Sequence, residues 1–426
     1  MKQNYTFRKL INDLHLWVGL PSAIILFIMC LTGTMYVFQR EITQWVDSNK
    51  FMVHVPANAR ALPLAELSKR VKVEKEGRIS NIQIAQHANE AWTFGLSTID
   101  KEAKPELETE GPNAGKPKIK EKTTSYLVDP YTGNIQGDAK TPTTEFFATV
   151  LQMHRWLLME HDLGGVITGT AAFMMLFLTI SGLILWFPAK IKSWKNSHFW
   201  KQGFKIKTDG SWKRLNFDMH KALGFYAFVF VTIMAITGPY FAFDWYKKNF
   251  SGALGTVPLN KNNTLESKLL TASQKPLDLN AIVANVNKIY PYSGSVKLAL
   301  PKDSIGSIAV QKAASGFITS AAIDRVTLDQ YSGEVLKLDR YADKTTGEKI
   351  VASVKFIHTG ELFGTFSKII YFIAALIATS LPVTGFFIWL NKRKSAKGKP
   401  TRHAVPANVN ARTSFPKRPK PNSQPA

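Results

Sequence analysis

The chain has 426 residues, of which 45% are hydrophobic, and it carries 54 Lys and Arg against 31 Asp and Glu. Long uninterrupted apolar runs alternate with long polar stretches, which excludes a purely cytosolic enzyme. A single cysteine, Cys30, excludes an intrachain disulfide, so the polar domains must be stabilised by packing.

Four apolar runs are predicted to form transmembrane helices. They are Leu16–Phe38, Gly164–Phe187, Ala222–Phe243 and Ile369–Leu390. Each exceeds the roughly 20 residues that cross about 30 Å of hydrocarbon. The first run is too long for a secretory signal, and no small-x-small cleavage site follows it, so we interpret it as a retained helix. The sequence therefore predicts contact with a lipid bilayer at four segments.

Basic residues concentrate in three of the polar segments. Segment 1–14 has three basic and one acidic residue, the loop 188–219 has eight and two, and the tail 390–426 has ten and none. Segment 40–150 has fifteen residues of each sign, and segment 245–355 has fifteen basic and nine acidic residues spread over a much longer stretch. Because basic residues are retained on the cytoplasmic side, both termini are predicted to be cytoplasmic. We attribute the basic tail to anionic lipid rather than nucleic acid, since it lacks interleaved aromatic residues.

The order of these segments defines the predicted domains. They are helix 1 with its N-terminal start (1–39), a first extracytoplasmic domain (40–150), helix 2 (151–188), a basic cytoplasmic loop (189–219), helix 3 (220–244), a second extracytoplasmic domain (245–355), helix 4 (356–390) and a disordered basic tail (391–426). Each extracytoplasmic domain combines an amphipathic run with alternating apolar residues, which predicts a small α+β unit. The stretch 100–122 is rich in Glu, Lys and Pro and is predicted to be a mobile loop.

The two halves of the chain resemble each other at an offset of about 205 residues. Both contain histidines near helix starts, an Asp-x-Tyr-x-Gly stretch typical of a β-hairpin turn, and Ser/Thr-Gly steps within the apolar runs. The four steps are Thr32-Gly33, Ser181-Gly182, Thr237-Gly238 and Thr384-Gly385. We interpret these steps as sites of close helix packing. The pattern predicts a four-helix transmembrane bundle built from two tandem repeats.

Four of the nine histidines, His15, His154, His220 and His358, occupy equivalent places in the two halves. A lone histidine near a membrane edge is usually an interfacial polar residue, but four at matching positions argue against coincidence. If the helices are unbroken, His15 and His220 lie near the cytoplasmic face, and His154 and His358 lie at or beyond the outer face. Two neutral imidazoles facing across a gap are the ligand set of a six-coordinate haem iron.

Other residues near these positions extend the predicted sites. His161 follows His154 by about two helical turns and is an alternative ligand or a contact for a propionate or an extra cofactor. Arg155, Arg8 and Lys9 are candidate propionate contacts, with an interfacial basic belt as the simple alternative. A zinc site would require more ligands than either pair offers. The sequence assigns no catalytic residue.

With these residues, the chain resembles the PepSY-associated transmembrane helix family, iron-regulated inner-membrane proteins that include ferric-siderophore reductases. The resemblance covers residues 1 to about 392. It rests on Asp-Leu-His at helix 1, Met-His-Arg-Trp-Leu-Leu before helix 2, Asp-Met-His at helix 3, His-Thr-Gly before helix 4 and the two Asp-x-Tyr-x-Gly hairpins. It implies two haem b groups, with His15 and His220 as the inner ligands and His154 and His358 as the outer ligands. It also implies that the two extracytoplasmic domains are PepSY-like and periplasmic.

The resemblance further implies an oxidoreductase that passes electrons from the cytoplasmic side or the quinol pool to a periplasmic ferric siderophore. The sequence has no Gly-rich nucleotide loop, so the electron donor is expected to be a quinol or a separate reductase. Two alternatives stay open. One is a haem-free PepSY membrane protein that binds peptides or regulates a peptidase, and the other is a general electron relay to a periplasmic protein.

Overall fold

The computed structural model describes residues 6–58, 60–100, 106–107, 117–118, 121–188, 195, 197–257, 265–268, 275–314 and 322–397. Most of the predicted mobile loop at 100–122, and the predicted tail from residue 398 onward, lie outside the described residues.

The described helices are α1 (Phe7–Tyr36), α2 (Gln39–Val46), α3 (Ser48–Phe51), α4 (Leu64–Glu74), α5 (Pro142–Trp156), α6 (His161–Trp186), α7 (Ser197–Phe204), α8 (Trp212–Thr237), α9 (Pro239–Ala242), α10 (Asp244–Ala253), α11 (Leu279–Ile289), α12 (Thr346–Thr359) and α13 (Gly364–Lys397). The described strands are β1 (Arg78–Ile84), β2 (Trp92–Ile99), β3 (Glu106–Leu107), β4 (Pro117–Lys118), β5 (Glu121–Val128), β6 (Ile135–Asp138), β7 (Gly294–Ala299), β8 (Ile308–Ala314), β9 (Ile323–Leu328) and β10 (Val335–Asp339).

Four helices in the described chain are long and apolar enough to cross a membrane, which confirms the four predicted segments. They are α1, α6, α8 with its continuation α9, and α13. They form a bundle in which α1 and α8 each pack against both α6 and α13. Helices α1 and α8 begin before their apolar runs, at Phe7 and Trp212, because the preceding polar residues are compatible with continued helical hydrogen bonding.

Two amphipathic helices, α5 and α12, precede α6 and α13 and are separated from them by tight turns. Each begins with a capping box, at Thr141 and Thr345. Each is followed by a residue in the left-handed region, Leu157 with φ 53° and Gly360 with φ 76°, which ends a right-handed helix. The outer histidines therefore lie in the last turns of separate short helices, and the expectation based on unbroken helices does not hold for them.

The two polar segments join in a single eight-stranded sheet of order β10-β9-β8-β7-β1-β2-β5-β6. Every neighbouring pair in this sheet is antiparallel. The first half of the chain contributes β1, β2, β5 and β6, and the second half contributes β7 to β10. The halves join where β1 pairs with β7 and Ile82 lies opposite Leu298.

One hydrophobic core spans both halves of the sheet. Helices α4 and α11 cover the same face, and their apolar residues belong to a core cluster that also contains Ile82 and Leu298. Both of these junction residues have no exposed surface. Each half has the predicted α+β composition, but the two halves stabilise each other through a shared core.

Replacing Ile82 with alanine tests this shared core. We expect the free energy of unfolding of the sheet to fall by about 2–5 kcal/mol, because the change leaves a cavity at the junction. Hydrogen–deuterium exchange should accelerate in β7 and β8 as well as in β1 and β2. Ile99→Ala is the control, since Ile99 lies on β2 but is 64% exposed. Faster exchange confined to the first half would contradict a shared core.

Both Asp-x-Tyr-x-Gly stretches form turns between paired strands, β5 to β6 and β9 to β10, as predicted. In the second turn, Asp329 Oδ1 accepts hydrogen bonds from the backbone N–H of Tyr331 and Ser332, at 2.8 and 2.9 Å. Its other oxygen accepts from the backbone N–H of Lys268 at 2.7 Å. Gly333 completes the turn with φ 71°, a conformation that glycine adopts at little cost.

This turn should make the second half of the sheet sensitive to acid. Burial alone would raise the pKa of Asp329, but the hydrogen bonds from the turn and from the backbone of Lys268 outweigh it and hold the pKa below its ordinary 3.8. A lowered pKa in the folded state contributes stability above pH 3.8, and this stability is lost as the pH falls through the folded pKa. We expect Asp329→Asn to lower the free energy of unfolding at pH 7 by about 1–3 kcal/mol and to weaken its acid dependence. Chemical unfolding at several pH values measures the free energy of unfolding and its dependence on acid. Glu334→Gln is the control, because Glu334 is an exposed carboxylate in the same turn. An acid dependence that is unchanged in Asp329→Asn would contradict the role of Asp329.

Candidate functional site

The four predicted histidines come together as two pairs. The ring centroids of His15 and His220 are 6.5 Å apart, and those of His154 and His358 are 6.4 Å apart. With metal–nitrogen bonds of about 2.0 Å on opposite sides of one ion, two imidazole centroids lie about 6.4 Å apart. Both pairs therefore have the spacing of two imidazoles that share a metal ion.

The two pairs lie at different depths in the bundle. His15 is on α1, and His154 contacts the same helix near Met29, 14 residues further along. At about 1.5 Å per residue, these positions are roughly 20 Å apart along the helix axis. In the described chain no group of three or more His, Cys, Asp or Glu side chains is arranged to hold an ion, so each pair offers two ligands.

In the inner pair, each ring uses its Nδ1 atom for a hydrogen bond to a neighbouring membrane helix. His15 Nδ1 lies 2.8 Å from Ser181 Oγ, and His220 Nδ1 lies 2.8 Å from Thr384 Oγ1. Both hydroxyls donate their hydrogen to a carbonyl of their own helix, at 2.7 and 3.0 Å. Because a hydroxyl has one hydrogen, its oxygen must accept from Nδ1–H. The Nε2 atom of each ring then has the free lone pair that a metal requires.

The outer pair has the same arrangement with one difference. His358 Nδ1 lies 2.8 Å from Thr237 Oγ1, which donates to its own helix at 2.7 Å. His154 Nδ1 lies 2.8 Å from the backbone oxygen of Met29 and 3.4 Å from Thr32 Oγ1. A carbonyl oxygen only accepts, so Nδ1 of His154 must be the donor. All four rings are held as the tautomer that leaves Nε2 available.

A glycine in each of the four Ser/Thr-Gly steps lies against the histidine ring that the same step contacts. An added Cβ would lie 3.1 Å from His154 at Gly33, 3.5 Å from His15 at Gly182, 3.9 Å from His358 at Gly238 and 3.3 Å from His220 at Gly385. The steps that we interpreted as close helix packing therefore also position the histidines. Sequence reasoning missed this role because each ring and its step are 121 to 166 residues apart. The repetition of the histidines and the Ser/Thr-Gly steps in both halves was the sequence signal that pointed to this role.

A cavity of about 640 Å³ lies among the four membrane helices at the inner pair. Its lining is mostly apolar and includes His15 and His220, together with Gly19 and Gly224 one turn after them. This volume is within the range of about 300–1,000 Å³ that is typical of ligand and cofactor sites. The inner site therefore combines an apolar cavity with two oriented nitrogen ligands.

A family model described as PepSY-associated TM region matches residues 13–392. The chain belongs to the PepSY-associated TM family. This match confirms the resemblance found in the sequence, and it includes all four paired histidines. No curated protein matches the chain.

In this PepSY-associated TM protein, His161 lies outside both imidazole pairs, and the side chain of Arg155, the residue after His154, lies over the Trp156 ring. His161, the alternative ligand, has a side chain that is 71% exposed, and its Nδ1 lies 3.0 Å from Asp162 Oδ1. Its ring lies 5.2 Å from that of Trp156, while the Arg155 guanidinium lies 4.5 Å from the same Trp156 ring. The structure thus brings His154 and His358 together and leaves His161 at the surface of the bundle.

The two basic residues at the start of α1 have different surroundings. Arg8 donates hydrogen bonds to backbone oxygens at the end of α6, including Phe187 O at 2.9 Å. The last carbonyls of a helix generally lack a donor within that helix, and the Arg8 guanidinium supplies one at the end of α6, so Arg8 caps this helix. Lys9 and Arg8 both line the inner cavity.

Proposed function

We propose that this PepSY-associated TM protein is a haem b-containing inner-membrane reductase. It would carry electrons from the cytoplasmic side or the quinol pool to a periplasmic ferric siderophore and release ferrous iron. The observation that carries the proposal is the presence of two imidazole pairs, each with a centroid spacing near 6.4 Å and with Nδ1 hydrogen-bonded.

The residues of both pairs fit haem b. His15 and His220 would hold the inner haem, and His154 and His358 would hold the outer one. Bound haem supplies an iron centre that accepts and releases one electron reversibly. Hydrogen bonds at Nδ1 fix the tautomer and the orientation of the imidazoles, and the lining of the inner cavity is mostly apolar.

The proposed direction of transfer follows from the predicted topology, in which both termini are cytoplasmic and the shared sheet is periplasmic. The membrane potential favours an outward electron by about 2.3 kcal/mol per 100 mV. A ferrous ion has a lower charge and is softer than a ferric ion, so reduction weakens its binding to hard oxygen ligands. We attribute the similar order of elements in both halves to a tandem duplication.

The first test is an absorption spectrum of the purified full-length protein, oxidised and dithionite-reduced, with haem quantified per chain. The proposal predicts two haem equivalents with the spectrum of six-coordinate, low-spin haem b. A colourless protein would reject the proposal and favour a haem-free PepSY protein that binds peptides or regulates a peptidase.

The second test separates a reductase from a general relay. The reduced protein is mixed anaerobically with a ferric siderophore in the absence of any partner protein, and haem reoxidation and ferrous iron are measured. The proposal predicts one ferrous ion for each haem oxidised. No reoxidation would indicate a relay to another periplasmic protein.

A further inference from the structure

The inner cavity is basic at one end and apolar at the other. Its basic lining residues are Arg8, Lys9, Lys221 and Lys392, and none of the lining residues that the structure describes is acidic. Lys9 precedes His15 by six residues on α1, which is about 9 Å along the axis. Lys392 follows Gly385, the glycine against His220, by seven residues on α13, which is about 10 Å.

These lysines lie on the same side of the imidazole pair. Helices α1 and α13 run in opposite directions, since Thr34 contacts Thr379 and Phe38 contacts Phe372, so the start of α1 and the end of α13 meet at one end of the bundle. Lys221 is adjacent to His220, and its Nζ donates to the backbone oxygen of Gln202 at 3.2 Å, in α7 outside the membrane helices. The cations therefore converge at one mouth of the cavity.

The opposite end of the cavity is mostly apolar and has no charged side chain in its lining among the described residues. Its lining there includes Ala23, Leu26, Met175 and Phe228, which lie beyond the imidazole pair in the other direction along their helices. A charged group placed among these residues would lose its hydration without gaining a partner. The cavity therefore suits a flat ligand with an apolar body and negative charge along a single edge.

We infer that Lys9, Lys221 and Lys392 fix the orientation of the inner haem by binding its two propionate carboxylates at this basic mouth. This inference rests on the proposed function, because it concerns the haem held by His15 and His220. Charge-assisted hydrogen bonds from ammonium groups to carboxylates are shorter than neutral ones and roughly twice as strong. Arg8 contributes positive charge, while its hydrogen bonds remain on α6.

Haemin and haemin dimethyl ester test this inference, because the ester keeps the ring and iron but removes both carboxylate charges. Full-length apo-protein carrying His358→Ala, which confines binding to the inner pair, is titrated with each compound in detergent, and Kd is measured from absorbance. We expect haemin to bind about tenfold or more tightly than the ester. Equal Kd values would overturn the inference and leave the proposed function intact. Binding of neither compound would instead reject the haem assignment itself.

Two triple variants, each with three fewer positive charges, test whether the preference for haemin depends on the lysines that line the cavity. We expect the triple variant Lys9→Met, Lys221→Met, Lys392→Met to bind haemin and its ester with similar Kd values. The control triple variant Lys201→Met, Lys205→Met, Lys213→Met removes the same charge from residues that do not line the cavity, and it should keep the preference for haemin. An equal loss of preference in both variants would overturn the inference. If the first triple variant does not fold, the comparison of haemin with its ester in the His358→Ala protein still tests the inference, because equal Kd values there would overturn it.

Discussion

Replacing His220 with alanine is expected to remove one haem equivalent per chain and to leave the other bound. The ring centroids of His220 and His15 are 6.5 Å apart, while His154 of the outer pair contacts α1 about 20 Å away along the helix axis. In the proposed inner site, the substitution would leave His15 as the single histidine that could hold a haem. The proposed outer site would keep His154 and His358 with their hydrogen bonds.

Haem per chain, measured from the reduced absorbance of the purified variant, checks this expectation. His161→Ala is the matched control, because this imidazole is 71% exposed and lies outside both pairs. It should retain two haem equivalents. Equal loss of both haems in the His220→Ala variant would contradict two independent sites, and loss of haem in the control would restore His161 as a ligand.

Removing the two hydroxyls that orient the inner imidazoles should weaken inner haem binding without removing either ligand. Ser181→Ala and Thr384→Val each delete an acceptor for Nδ1–H and free the imidazole to rotate or change tautomer. Loss of a hydrogen-bond partner to a metal-ligating histidine typically costs about 10–100-fold in metal affinity. The double variant is therefore expected to lose inner haem during purification while it retains outer haem.

Thr179→Val is the matched control for these hydroxyls. Thr179 lines the same cavity, but its hydroxyl donates only to its own helix, to Leu176 O at 2.9 Å. Haem dissociation into excess apomyoglobin, followed by absorbance, compares the control with the double variant. Similar haem dissociation rates in the control and the double variant would contradict this role. They would show that haem is lost because a hydroxyl is missing from the cavity, and not because the imidazoles have lost the hydrogen bonds that orient them.

Local sequence patterns predicted much of this protein. The four membrane helices followed from apolar runs, because a segment that crosses hydrocarbon must be apolar throughout. The two hairpin turns followed from Asp-x-Tyr-x-Gly, since each residue meets a local backbone requirement. Equivalent positions in the two halves singled out His15, His154, His220 and His358 before any contact was known.

Contacts between distant segments could not be predicted in this way. The pairing of β1 with β7, which joins the two polar segments through Ile82 and Leu298, has no local signal, because an alternating pattern marks a buried face but not the neighbouring strand. The ends of α5 and α12 were also missed. Leu157 adopts a left-handed conformation that its residue type disfavours, whereas Gly360 does so readily.

By itself, the sequence determined the number of membrane helices, the family and the four candidate ligands. Only the tertiary structure decided that a Ser/Thr-Gly step on one helix orients a histidine on another, and that three lysines meet at one mouth of the inner cavity. The physical reason is that hydropathy and turn formation depend on neighbouring residues. The orientation of an imidazole and the position of the lysines at the cavity depend on which helices pack together, and this packing exists only in the folded bundle.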